Sequence, residues 1–162
     1  MLLTIPFHSL SFQDVDGNPV NMSSFASKKV LLVNIATESS RINQMSELQQ
    51  LQQQYNDSLV VIVFPSNSFG KENKTNAEIK QFLNTNYHFT GIIAAKSNVI
   101  NAGINPVFSW LASISQNGDV SASAGGDFQK FLISKDGSVI GVFSTKIAAS
   151  DSSIIEAINT SY

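Results

Sequence analysis

The sequence predicts an α/β fold, a β-sheet covered by helices on both faces and preceded by an N-terminal β-hairpin. Two near-continuous apolar runs, residues 30–36 and 59–64, read as strands buried on both faces, as at the centre of such a sheet. The segments that follow these runs switch to a helical period, which makes each strand–helix pair a crossover unit. A turn at Asp14-Val15-Asp16-Gly17-Asn18 separates two short extended stretches near the start, and Gly17 supplies the positive φ that a tight turn requires.

Taken in order, residues 3–12 are expected to form a strand, followed by the turn and a second short strand at Pro19-Val20, where the proline limits ladder pairing. Residues 23–29 form a short helical turn leading into the first core strand. From Arg41 to Tyr55, Met45, Leu48, Leu51 and Tyr55 share one side, and the glutamines are assigned to solvent. Ser39, Ser40 and Asn43 are the residues placed to cap this helix. After the second core strand, residues 65–70 form a loop. Thr75 and Glu78 then have capping-box spacing, with Ile79, Phe82 and Leu83 inward.

Residues 89–95 are assigned to a strand and 97–104 to irregular chain. Asn105-Pro106 places an N-cap and an N1 proline before a helix whose buried face would be Val107, Trp110, Leu111 and Ile114. Residues 116–126 are a loop of small side chains. A hairpin over 128–133 and 139–144, turning at Lys135-Asp136-Gly137-Ser138, precedes a closing helix at 150–159. With no repeat or linker, residues 1–162 are expected to be a single domain. The loops after Ala36 and Phe64 lie at the carboxyl ends of parallel strands, where open sheets of this kind bind ligands.

Composition narrows the function. With 43% hydrophobic residues and 11 Phe, the chain can build a sizeable core. A net charge of -2 offers nothing to nucleic acid or an anionic membrane. The sequence contains no cysteine, which excludes disulfides, thiolate metal sites and any cysteine redox cycle. No run approaches membrane-spanning length, and no secretory leader is recognisable. A soluble chain is expected, with the cytoplasm and export after removal of a leader both left open. Four Asn-x-Ser/Thr sequons, at Asn21, Asn56, Asn73 and Asn159, are what chance gives in a chain this rich in Asn and Ser.

Three motifs organise the rest: Asn34-Ile35-Ala36-Thr37-Glu38-Ser39-Ser40, Phe64-Pro65-Ser66-Asn67-Ser68-Phe69-Gly70, and Gly126-Asp127-Phe128-Gln129-Lys130-Phe131-Leu132. They resemble the glutathione peroxidase motifs Asn-Val-Ala-Ser-x-Cys-Gly, Phe-Pro-Cys-Asn-Gln-Phe-Gly and Trp-Asn-Phe-x-Lys-Phe-Leu. Supporting stretches are Asp16-Gly17 with Val20, Ser24-Phe25, residues 30–34, residues 78–82 and residues 105–111. The likeness runs through nearly the whole chain in order. It implies a thioredoxin-like fold with a central mixed sheet flanked by helices on both faces.

The resemblance also implies which positions would carry chemistry. Family members attack hydroperoxide with a Cys or selenocysteine aided by Gln, Trp and Asn; the matching positions here are Ser39, Ser68, Gly126 and Asp127. The family's second Cys position is Ser66. Four changes together point to decay of the site rather than to engineered Cys-to-Ser replacements at Ser39 and Ser66. A serine offers neither an accessible anion near neutrality nor an atom that can become a sulfenic acid. The expected function is therefore that of a catalytically inactive, glutathione-peroxidase-like protein acting through a protein or small-molecule partner; the alternative is an unorthodox peroxidase of the same family. Serine hydrolysis would need a base beside Ser39, and the only histidines, His8 and His88, lie outside the motifs. Glu38 and Asp127 are the carboxylates placed to converge on Ser39 and Ser68 as a polar pocket for a cation or a hydroxyl-rich ligand. No cofactor and no metal site are expected. Gly126, standing where the family has an indole, would either open a pocket or let its loop collapse.

Overall fold

The computed structural model describes residues 3–161. Its centre is β3 (Lys29–Ile35), every residue of which is buried. On one side β3 pairs in parallel with β4 (Leu59–Pro65), from Lys29 opposite Leu59 to Ile35 opposite Pro65. On the other it pairs antiparallel with β6 (Lys130–Ile133), with Val33 opposite Lys130. Adding β5 (Ile92–Ile93) and β7 (Val139–Phe143) gives a five-stranded mixed sheet of order β5-β4-β3-β6-β7. β1 (Ser11–Gln13) and β2 (Pro19–Asn21) form a separate antiparallel hairpin.

Strand alternation divides the core in two. Leu31, Val33 and Ile35 face α1 (Gln44–Gln54), α2 (Asn76–Tyr87) and α5 (Ser152–Asn159) through Met45, Leu48, Ile79, Leu83, Ile154 and Ile158. Val30 and Leu32 face the other layer, where α3 (Pro106–Leu111) supplies Val107, Phe108, Trp110 and Leu111, and the N-terminal segment supplies Phe7 and Phe12. The Trp110 indole N–H donates to the carbonyl of Ile5 at 2.7 Å, so the buried ring keeps its polar atom satisfied. The Thr75–Glu78 capping box at the start of α2 forms as the spacing predicts, and Asn105 caps α3 through the N–H of Val107.

Several expectations need correction. Residues 3–12 are not one strand: Phe7–Ser9 is a 3-10 turn set up by Pro6, and only Ser11–Gln13 pairs. β5 is two residues long, not seven, and Gly91 just before it passes so close to β4 that a Cβ would stand 2.6 Å from the Val61 carbonyl. Ile114 does not extend the buried face of α3. It begins a separate helix, α4 (Ile114–Asn117), and is 54% exposed. Nor is the glutamine side of α1 all solvent. Gln49 and Gln52 are buried, and the Gln52 amide donates to Leu59 O at 3.0 Å and accepts from Val61 N at 2.7 Å.

Candidate functional site

The loops leaving β3 and β4 do lie side by side, because their strands are neighbours. Ser66 N donates to Ile35 O, and Glu38 N to Lys71 O. The strongest clasp between them is Glu72, fully buried, whose carboxylate accepts from Thr37 N at 3.0 Å and Thr37 Oγ1 at 2.6 Å. Nothing in the sequence marked Glu72, since one carboxylate in a polar loop reads as solvated until the fold buries it.

The serines of the two loops are tied to backbone. Ser39 is 5% exposed, and its Oγ accepts from Arg41 N at 3.1 Å, holding the turn that leads into α1. Asn43, which precedes α1, makes no side-chain cap. Ser66 Oγ donates to Ser68 Oγ at 2.9 Å and accepts from Ser68 N; Ser68 Oγ accepts from Val99 N at 3.0 Å. Neither histidine is hydrogen-bonded to these hydroxyls. His88 instead ends α2 in a left-handed conformation, and His8 sits against Phe7. Among the described residues, these serines form no hydrogen-bonded pair with a histidine of the kind serine catalysis uses.

The third motif closes over the end of β3. Asn34 holds it twice: its Nδ2 donates to Gly126 O at 2.7 Å, and its backbone carbonyl accepts from Phe128 N at 2.6 Å. Phe128 has φ 69°, an uncommon conformation for a bulky residue, and its carbonyl accepts from Lys130 Nζ at 2.6 Å. A Cβ on Gly126 would stand 3.2 Å from the Thr145 methyl, so the loop has settled against Thr145.

The two carboxylates expected to converge stand in different surroundings. Asp127 is buried, and burial pushes its carboxyl up, assisted by Glu72 and opposed by Arg41 and Lys71. Glu38 is exposed and faces Asn73 and Lys74, at 2.9 Å and 3.5 Å, which hold its carboxyl below the usual range. Together with Phe82 and other α2 residues it lines a cleft of about 410 Å³. Lys130 is fully buried, and its ammonium is pulled down to about 8, chiefly by desolvation, with Arg41 adding and Glu47 opposing. Arg41, in the turn before α1, and Glu47, in its first turn, act on Lys130 electrostatically, while Gln44 Nε2 donates to Thr145 O. Among the described residues no group of three or more His, Cys, Asp or Glu is placed to hold a metal ion, and no helix is long and apolar enough to cross a membrane.

A family model described as glutathione peroxidase matches residues 7–112. The chain is 35% identical over 141 residues to a glutathione peroxidase-like peroxiredoxin of Schizosaccharomyces pombe, covering 86% of this chain and 89% of that one. It is 32% identical over 142 residues to a glutathione peroxidase of Lactococcus lactis, covering 86% and 90%. Among solved structures, the apo form of Trgpx superposes with a TM-score of 0.73 at 28% identity, covering 98% of each chain. A thiol:disulfide interchange protein of the thioredoxin family from Chlorobium tepidum, 19% identical, shares the fold with a TM-score of 0.64 over 96% of this chain and 97% of that one.

Proposed function

Because this chain belongs to the glutathione peroxidase family and yet contains no cysteine, we propose that it is a catalytically inactive member acting by binding a protein or small molecule. The missing cysteine carries the reading. Peroxide reduction transfers one oxygen to a thiolate or selenolate, which becomes a sulfenic or selenenic acid and is then returned by a second thiol. An alcohol has no such oxidation step. The local structure supports the same reading: the hydroxyls of Ser39, Ser66 and Ser68 fasten backbone and each other, as structural groups do.

Binding at the same edge is supported by the cleft beside Glu38, which opens next to the loop that carries the nucleophile motif and is floored by the half-buried Phe82. The direct test is hydroperoxide consumption by the purified protein, with glutathione and, separately, with a thioredoxin system as reductant. Consumption at the buffer rate is expected for hydrogen peroxide and for an organic hydroperoxide. A rate above buffer with either reductant overturns the proposal. A thermal-shift screen then searches for the ligand, since a molecule that binds only the folded state raises the unfolding midpoint.

A further inference from the structure

Residues 125–130 gather backbone strain and buried charge into one short stretch. Phe128 holds φ 69°, in the left-handed region that a bulky side chain rarely adopts. Asp127 beside it is buried and Lys130 fully so, and neither enters an ion pair among the described residues. Strain of this kind persists only where neighbours enforce it, and it collects in segments that switch.

The enforcement rests on two side chains. Among the described residues, Asn34 is the only residue outside the stretch that hydrogen-bonds residues 123–129, through Gly126 O and Phe128 N. Gly125 N turns inward, to Gln129 Oε1. The second tie is Lys130, whose Nζ donates to Phe128 O at 2.6 Å. Lys130 itself is anchored, because β6 pairs it with Val33 on one side and Phe143 on the other. At the opposite end the consecutive Gly125 and Gly126 leave the backbone free to turn. The buried Phe128 ring keeps the closed form in the majority.

We propose that residues 125–129 are a lid over the carboxyl end of β3, hinged at Gly125-Gly126 and latched by Asn34 and Lys130, which opens locally while the sheet stays folded. The Phe128 carbonyl lies on the Lys130 ammonium, so one displacement relaxes φ and brings both the ammonium and the Asp127 carboxyl to water. Asn34 is the first residue of the first motif, and an open lid therefore bares the strand end from which the Ser39 loop departs. The proposal is independent of the catalytic reading above.

Opening is linked to protons. Desolvation holds the closed Lys130 at about 8 against the ordinary 10.5, so between those limits the closed form binds fewer protons than the open one. Protonation therefore favours opening, and rising pH closes the lid. The charged groups around the latch are Arg41 before α1, Glu47 on α1 and Asp127 on the lid; Glu72 and Lys71, from the loop after β4, act on Asp127 together with Arg41.

Hydrogen exchange of the full chain, read by mass spectrometry on peptides covering residues 125–130 and 30–35 and corrected for intrinsic rates, tests the lid. At pH 7 the first peptide is expected to exchange at least about tenfold faster than the second, at a rate flat in urea below the unfolding transition. At pH 9 its opening should fall about tenfold. Lys130→Met should abolish that pH response, and Asp127→Asn should keep it. If Lys130→Met fails to fold, the urea dependence of the wild type decides: exchange of residues 125–130 that follows urea in step with residues 30–35 means that only global unfolding uncovers them, and overturns the lid. A pH response that survives in Lys130→Met, or is lost in Asp127→Asn, overturns the Lys130 latch.

Discussion

Lys130 is fully buried, and its Nζ donates to the carbonyl of Phe128. Its folded value of about 8 lies below the ordinary 10.5, so between those limits the folded chain binds fewer protons than the unfolded one. Stability therefore rises with pH across that window, and the penalty for burying the cation is fully present below it. The whole shift is worth at most about 3 kcal/mol. Urea unfolding of wild type and Lys130→Met between about pH 8 and 10 checks this, with the wild type expected to gain on the variant as pH rises; parallel profiles would show that burial does not depress this lysine. Ser39→Ala should cost about 1 kcal/mol in urea unfolding through the lost hydrogen bond to Arg41 N. At this scale the sequence was only partly legible. The motifs located Ser39 and Lys130, but the capping role expected of Ser39 did not hold: α1 begins at Gln44, and Ser39 Oγ fixes the turn before it. What no pattern disclosed was the burial of Lys130, Glu72 and Asp127, because a charged side chain is solvated by default and only the packing of α1 and two loops overrides that.

The elements were more legible where one physical signal dominates. β3 and β4 appear as apolar runs because both faces are covered, and α2 starts where Thr75 and Glu78 can serve each other's backbone. Failures arose where tertiary contacts reassign polar residues. α1 carries two buried glutamines, and Gln52 stitches the helix to β4 through both ends of its amide. Truncating it strands the Leu59 carbonyl and the Val61 N–H inside the core, at about 1–3 kcal/mol for each group. Gln52→Ala is therefore expected to lose about 2–4 kcal/mol in denaturant unfolding, whereas the exposed neighbour Gln53→Ala stays within about 0.5 kcal/mol of wild type. Equal losses at the two positions would mean that helix propensity and not the stitch is being read. The end of α5 is held in a related way by Lys29, whose ammonium donates to the carbonyls of Ala157 and Ile158 at 2.8 Å each. A lysine opening a strand gives no hint that it will finish a helix more than a hundred residues later.

Across the whole molecule, the order β5-β4-β3-β6-β7 puts the loops after β3 and β4 at one edge and brings the third motif to it through the pairing of β6 with β3. The family's frame is thus assembled, and what distinguishes this chain is what stands on it. That separation can be tested by restoring the nucleophile alone. In Ser39→Cys the new sulfur would occupy a 5% exposed position in the turn before α1, where unpaired N–H groups lower a thiol's pKa. A reactive thiolate is not sufficient for turnover, because Ser68 is engaged by Ser66 and Val99, Gly126 has no side chain, and Asp127 places a carboxyl where the family motif has an amide. No second cysteine is available to resolve a sulfenic acid. The expected outcome is a variant that folds, reacts with a thiol-alkylating reagent far more slowly than in urea, and shows no hydroperoxide turnover with either glutathione or thioredoxin. Peroxidase activity from this single change would mean that the surrounding residues still polarise the substrate, and would reduce the loss of function in this chain to the loss of one sulfur atom.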